Sequence, residues 1–484
     1  MDNLFAIILA VVVIIWQLGH VVIRLTALVI IPRRQQPSSA TAWLVLIMFL
    51  PWLGLIVYLF VGENRLPKRR LKHHTRILKE LETFNRELTT SSQIVHPDLS
   101  TEMEPVVKLA ESLGQMPILG GNDAEVIAGY GEIIDRLIAD IDRAQHHVHL
   151  EYYIFADDEQ GRRVYYALIR AVERGVTCRV LVDDIGARAF LKKLDIEMAE
   201  HGIKVHRMLP ARLLRFYAHR IDLRNHRKIA VIDGQVGYTG SQNIVNADYN
   251  YGIDGLTYEE LMVRLTGPIV LELQAVFAGD WYFETEELLD REALFPMPIT
   301  ESGPIMAQTL PSGPTYDMEN FQRLVINMLY AAKEHIIITT PYFIPDQYFL
   351  HAVQTASLRG VEIEIIVSRR DQVLVGLGQS AFYQELLEAG VKLHRYSKAL
   401  LHAKHLTVDD ELAMIGSSNM DVRSLSLNFE VNVLFYGPEV VAMLKKEQKR
   451  YIQDSVPITL EEWEQRPKLQ RIAQDLAKLA SPLL

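Results

Sequence analysis

Two long apolar stretches open the chain, and after residue 118 the pattern turns to alternating helical and strand periods. Residues 4–23 are apolar except for Gln17, Gly19 and His20, and residues 40–61 hold no charge. A helix over 40–61 reaches about 33 Å, enough for a hydrocarbon core of roughly 30 Å. Both stretches are therefore predicted to span a membrane. A cleaved signal peptide fits the first poorly, because it has no basic leader and a second span comes at once. Pro51 should kink the second helix.

Arg33 and Arg34 lie in the short connection 32–39, whereas Arg65, Lys68, Arg69, Arg70, Lys72, Arg76 and Lys79 flank the far end of the second span. The positive-inside bias then predicts a multi-pass membrane protein with both ends, and so the remainder of the chain, on the cytoplasmic side. His20 and Arg24 are expected to snorkel toward headgroups. In 66–88, Leu71, Leu78, Leu81, Phe84 and Leu88 recur at helical spacing among basic residues. That predicts an amphipathic helix, resting on an anionic leaflet or packed on the next domain.

Beyond these segments the same elements come twice. Helical stretches 132–144 and 320–334 lead to apolar strands 147–155 and 336–342, and second helices lead to strands 176–182 and 361–367. Such alternation predicts α/β layering with a mixed sheet. Local similarities support a duplication: Arg174-Gly175-Val176 is echoed by Arg359-Gly360-Val361, and Gly202-Ile203-Lys204 by Gly390-Val391-Lys392. The predicted organisation is a hairpin (1–64), a basic helix and linker (65–118), and two α/β lobes (119–300 and 301–484) packed with pseudo-two-fold symmetry.

One motif recurs with identical spacing: His226, Lys228, Asp233, Gly240, Ser241, Asn243, and then His402, Lys404, Asp409, Gly416, Ser417, Asn419. With six fixed positions, a chance copy in a chain of this length is on the order of one in 100,000. Each His and Lys should share one face of a strand, since residues i and i+2 point the same way. Asp233 and Asp409 complete the catalytic motif, but their odd offset turns them elsewhere, as turn or ion-pair residues. Ser241 and Ser417 are expected to donate to phosphate or to cap a helix. Twelve extra residues precede the first motif and include Arg212, Arg215, Phe216, Tyr217, His219 and Arg220. They could form a headgroup lid or a solvated loop.

These residue types suit phosphodiester chemistry without a metal. One His attacks phosphorus while the other protonates the leaving alkoxide. Lys228, Lys404, Asn243 and Asn419 would hold the non-bridging oxygens. Each imidazole needs a carboxylate on its other nitrogen, and Glu260 and Glu430 occupy matched places downstream. A metal mechanism would want clustered carboxylates and His, whereas here a Lys sits beside each His.

Bulk composition narrows the classes further. With 50 Lys and Arg against 60 Asp and Glu, the net charge of −10 argues against a nucleic-acid binder. The single cysteine, Cys178, excludes an internal disulfide and a multi-cysteine metal site, and reads as buried filler in a strand.

The paired motifs resemble those of the phospholipase D superfamily, over roughly residues 120–440. Within it the whole chain resembles the bacterial cardiolipin synthases. Three features carry this: the N-terminal segment ending Gly62-Glu63-Asn64-Arg65, the run Asn419-Met420-Asp421-Val422-Arg423-Ser424 before Asn428-Phe429-Glu430, and the C-terminal stretch from Arg466-Pro467 to Ser481-Pro482-Leu483-Leu484. The resemblance implies no cofactor. It implies transfer of a phosphatidyl group from one phosphatidylglycerol to another, giving cardiolipin and glycerol, with His226 as nucleophile and His402 as acid/base. A hydrolase, another transphosphatidylase such as a phosphatidylserine synthase, and a non-enzymatic membrane scaffold are the competing readings. Oligomeric state stays open.

Overall fold

The computed structural model describes residues 2–35, 37–62, 93–210, 223–249, 255–290, 294, 300–316, 319–369 and 373–480. The basic stretch 66–88 and the insert 212–220 lie outside the described residues.

The N-terminal unit is a helical hairpin. Its first helix, Asp2–Arg34, runs on through Pro32, so the expected connection at 32–39 shrinks to the residues before Pro37. A proline in the last turn removes little of the hydrogen-bond ladder, and the apolar run continues past His20 to Ile31. Ile7–Arg34 is long and apolar enough to cross a membrane, the one such helix among the described residues. The second apolar stretch is not one continuous helix. It forms helices Pro37–Phe49 and Pro51–Val57, then a π-helical turn Tyr58–Gly62. The break falls at Leu50 (φ −128°, ψ 72°), because the residue before a proline is pushed out of the helical region. Trp16 stacks on Trp52 with ring centroids 5.3 Å apart.

The second unit carries a 15-stranded mixed sheet whose order records the duplication. The first lobe arranges Leu119–Ile127, Met262–Thr266, Val236–Gly240, Lys228–Ile232, His147–Tyr152, Thr177–Asp183 and Lys204–Met208 side by side. The second repeats that order with Ile305–Ser312, Glu430–Tyr436, Leu412–Gly416, His405–Val408, His335–Thr340, Glu362–Ser368 and Lys392–Tyr396, and adds Ser455–Ile458 at its outer edge. The lobes join where Leu119–Ile127 runs antiparallel to Ile305–Ser312. The pseudo-two-fold axis passes between those two strands.

Helices cover both faces, which is why the central strands are buried throughout. Tyr130–Arg143 and Glu159–Glu173 pack Ile133, Leu137, Val164 and Leu168 on one face, and Ile269–Thr285 packs Val270 and Leu273 on the other. Gly175 and Gly360 sit at the same helix-to-strand turn of each lobe with φ of +89° and +96°, a conformation that favours glycine.

One segment departs from the predicted organisation. Glu104–Gly114, expected as linker, buries Val106, Ala110 and Leu113 against Phe321, Leu324 and Met328 of the second lobe. Its apolar period announces a buried face, but the partner arrives some two hundred residues later in the chain. The Ser100 N–H anchors the same segment on Glu411 Oε2 at 2.6 Å.

Candidate active site

Each motif histidine sits just before a central strand, where the edge loops of the two lobes meet. The His226 N–H donates to the Phe429 carbonyl (2.8 Å), and the His402 N–H donates to the Glu259 carbonyl (2.8 Å). These backbone bonds cross the lobe boundary and set the side-chain pairing. His226 Nδ1 lies 3.1 Å from Glu430 Oε2, and His402 Nδ1 lies 2.8 Å from Glu260 Oε1. The arrangement is crossed, each imidazole leaning on the carboxylate of the other lobe. A carboxylate at Nδ1 holds the proton there and leaves Nε2 with its lone pair for chemistry.

The lysines are buried beside them. Lys228 Nζ donates to the His226 carbonyl and Lys404 Nζ to the His402 carbonyl, both at 2.6 Å. Both motifs differ slightly from the expected shared strand: His226 precedes a strand that begins at Lys228, and His402 and Lys404 precede one that begins at His405. Burial pulls the Lys228 ammonium down to about 8 and that of Lys404 to about 7. Burial likewise lowers His402 to about 4 and His226 below its ordinary value. Burial alone would raise Glu260 and Glu430, but the facing histidine and lysine outweigh it and hold both below the usual carboxylate range. The resting site thus pairs neutral imidazoles with ionised carboxylates. His226 also feels Lys404, and His402 feels Lys228, so the two motifs share one electrostatic centre.

Ser241 and Ser417 turn their hydroxyls toward the segments that carry the two carboxylates. Ser417 Oγ donates to Glu430 Oε2 (2.5 Å), and Ser241 Oγ lies 3.1 Å from the Leu261 carbonyl while accepting the Leu261 N–H. Ser417 thus contacts the Glu430 carboxylate itself, and Ser241 holds the backbone of Leu261 next to Glu260. The asparagines are not equivalent: Asn243 Oδ1 accepts the Ile154 N–H (3.0 Å), whereas Asn419 Nδ2 donates to Asp421 (3.1 Å).

Asp233 and Asp409 lie at the strand ends and touch neither histidine. Asp233 accepts the backbone N–H groups of Gln145, His146 and His147, each at 2.8 Å. Asp409 accepts those of Lys333, Glu334 and His335 at 2.8–3.1 Å. Each sits at positive φ, +54° and +49°, and locks the entry of the neighbouring strand. Cys178 is buried, its thiol pushed up to about 12 by desolvation.

Several neighbours escaped the sequence reading. The Tyr153 ring lies 5.1 Å from that of His226, and Tyr258 stands edge-on to His402 at 5.6 Å. Ser424 Oγ donates to Glu430 Oε1 (2.8 Å). Arg227, buried between His226 and Lys228, donates to the Glu430 carbonyl (3.0 Å) and pairs with Asp280. Its place between two motif residues was the available signal, but the second motif has Ala403 there. Beside His402 opens a cleft of about 380 Å³, its mouth included, lined by Tyr258, Tyr342, Arg369, Val375, Gly376 and Gln379. No group of three metal-ligating side chains occurs among the described residues. The donor set suits a metal poorly, since each Nδ1 is taken by a carboxylate and an ammonium stands alongside.

Two motif halves closing one histidine–lysine centre at the junction of duplicated lobes define a phospholipase D-like class. Residues 137–281 and 325–452 match the family described as "Cardiolipin synthase, PLD-like domain", and residues 21–63 match "Phospholipase_D-nuclease N-terminal". The chain belongs to this cardiolipin synthase family. It is 35% identical over 463 residues to the Cardiolipin synthase A of Proteus mirabilis (strain HI4320), covering 94% of this chain and 95% of that protein. It is 36% identical to the Cardiolipin synthase A of Klebsiella pneumoniae subsp. pneumoniae, again over 94% and 95%. Among solved structures, a phosphatidylserine synthase from Haemophilus influenzae Rd KW20 shares the fold, with a TM-score of 0.61 and 16% identity over 78% of this chain and all of that one.

Proposed function

We propose that this chain is a membrane-bound phosphatidyltransferase that condenses two phosphatidylglycerol molecules to cardiolipin and glycerol. The observation that supports this most is the crossed pairing of His226 with Glu430 and His402 with Glu260. Neither lobe alone supplies an oriented imidazole. Both relatives at about 35% identity carry the cardiolipin synthase name over nearly their whole length.

His226 Nε2 attacks the phosphorus of the first phosphatidylglycerol. His402, neutral at rest, takes a proton from solvent at Nε2 as the anionic phosphodiester binds, and passes it to the departing oxygen as the bond to the glycerol headgroup breaks. A phosphatidyl-histidine remains. The terminal hydroxyl of a second phosphatidylglycerol gives its proton to His402 and attacks phosphorus, and the P–N bond to His226 breaks. Lys228 and Lys404, with Asn243 and Asn419 in support, stabilise the charge on the non-bridging oxygens. Glu260 and Glu430 hold the imidazoles in the working tautomer, Ser417 bonds the Glu430 carboxylate, and Ser241 holds the backbone beside Glu260. Asp233 and Asp409 act on the framework. The helix Asp2–Arg34 and the broken segment after it enter the bilayer as a hairpin, with the lobes on the cytoplasmic side where the basic flank lies.

Purified full-length protein given labelled phosphatidylglycerol should yield cardiolipin and free glycerol in equal amounts. Phosphatidic acid as the sole lipid product would replace this reading with that of a hydrolase.

A further inference from the structure

The C-terminal helix Lys468–Ala480 faces the wrong way for a soluble protein. It packs on the body through Gln474 and Ala477, which are buried, with Gln474 Nε2 donating to Ser380 Oγ at 3.0 Å. Three large aliphatic side chains point outward: Leu469 is 81% exposed, Ile472 55% and Leu476 61%. Spaced i, i+3 and i+7, they form one continuous stripe. A surface helix of a soluble protein turns such a stripe inward, and a contiguous exposed one marks an interaction face.

Two further observations identify what covers it. Lys468 and Arg471 accompany the stripe against the single acid Asp475, while Lys478 turns to the body and pairs with Glu385, so the outer face suits an anionic partner. Ser380, on which Gln474 rests, ends the helix Val373–Ser380, whose Val375, Gly376 and Gln379 line the cleft beside His402. The stripe is therefore one helix removed from the cleft, in a chain whose family and apolar N-terminal helix make it membrane-associated. We propose that Lys468–Ala480 is an interfacial docking helix, which inserts Leu469, Ile472 and Leu476 among the acyl chains of an anionic bilayer and so holds the cleft mouth at the lipid surface. The acids Glu461, Glu462 and Glu464 of the preceding short helix then stay in water.

The native Cys178 is buried, so Ile472→Cys in the full chain can be labelled selectively with an environment-sensitive fluorophore. In vesicles of phosphatidylethanolamine and phosphatidylglycerol its emission should shift blue and be quenched by nitroxides placed high on the acyl chains. The same label at Asp475→Cys should remain open to aqueous iodide. A water-like emission at 472 in vesicles overturns the proposal. So does protection from iodide without nitroxide quenching, which indicates a second protein copy. This depth measurement needs no turnover, so it stands or falls apart from the proposed reaction. As a second arm, Leu469→Ser/Ile472→Ser/Leu476→Ser should lower turnover of vesicle phosphatidylglycerol by about tenfold, with turnover of detergent-dispersed short-chain substrate unchanged. Equal rates in vesicles also overturn it, whereas absence of cardiolipin from every variant and the parent indicts the reaction instead.

Discussion

Glu430 of the second lobe holds Nδ1 of His226 in the first at 3.1 Å, and Glu260 returns the same contact to His402 at 2.8 Å. In the proposed reaction the crossing makes the two lobes one catalytic unit, each carboxylate fixing a tautomer and stabilising the imidazolium that forms when Nε2 takes a proton. Glu430→Gln and Glu260→Gln keep the size of the side chain but lose the charge. Each should lower kcat by about 10²- to 10⁴-fold in a labelled-lipid assay, the range of a positioned general acid or base. Thermal unfolding of the variants in detergent should stay close to the parent. A variant that folds and turns over normally would remove the carboxylates from the mechanism.

The motif histidines and lysines were legible in the chain because repeated spacing is a one-dimensional signal, and the duplicated strand order comes from the same repeat. The pairing across lobes was not, since His226 and Glu430 are 204 residues apart and nothing local states which carboxylate meets which imidazole. Ser241 and Ser417 illustrate a second limit. A hydroxyl in a phosphate motif can serve the phosphate or the group behind it, and only the fold turned Ser417 onto Glu430. The segment Glu104–Gly114 shows a third: amphipathic period predicts a buried face without naming the lobe that buries it.

The lysines should set the alkaline side of the pH profile. Desolvation lowers Lys404 to about 7 and Lys228 to about 8, so both lose their charge within an ordinary assay range. An ammonium attracts the anionic phosphodiester and a neutral amine does not, so affinity falls as pH rises through these values. The profile of kcat/KM, which reports the free enzyme, should bend downward from about pH 7. Arginine does not deprotonate in proteins. Lys404→Arg should therefore show a lower plateau but a flatter profile between about pH 7 and 9. An unbent parent profile through that interval would show that the lysine charges do not hold the substrate.

Metal removal should have no effect. Each imidazole already spends Nδ1 on a carboxylate, and Lys228 and Lys404 bring positive charge where a cation would have to sit. Dialysis against EDTA should leave the turnover of labelled phosphatidylglycerol unchanged. Loss of activity that returns with one added divalent ion would require a metal in the reaction.

Asp233 and Asp409 should separate stability from chemistry. Each carboxylate gathers three backbone N–H groups at the start of an adjacent strand, and such charge-assisted bonds are stronger than neutral ones. Asp409→Ala strands three donors and places alanine at φ +49°, where a side chain without local hydrogen bonding is disfavoured. The expected cost is about 2–4 kcal/mol, since each unsatisfied group costs one to a few and solvent recovers part. Asp409→Asn keeps one acceptor and tolerates the positive φ, so it should lose less. Unfolding curves in detergent should rank the parent above Asn and Asn above Ala, with kcat per folded molecule within about threefold of the parent for both variants. A fall in kcat like that of Glu430→Gln, in protein that remains folded, would move this aspartate from the framework into the reaction.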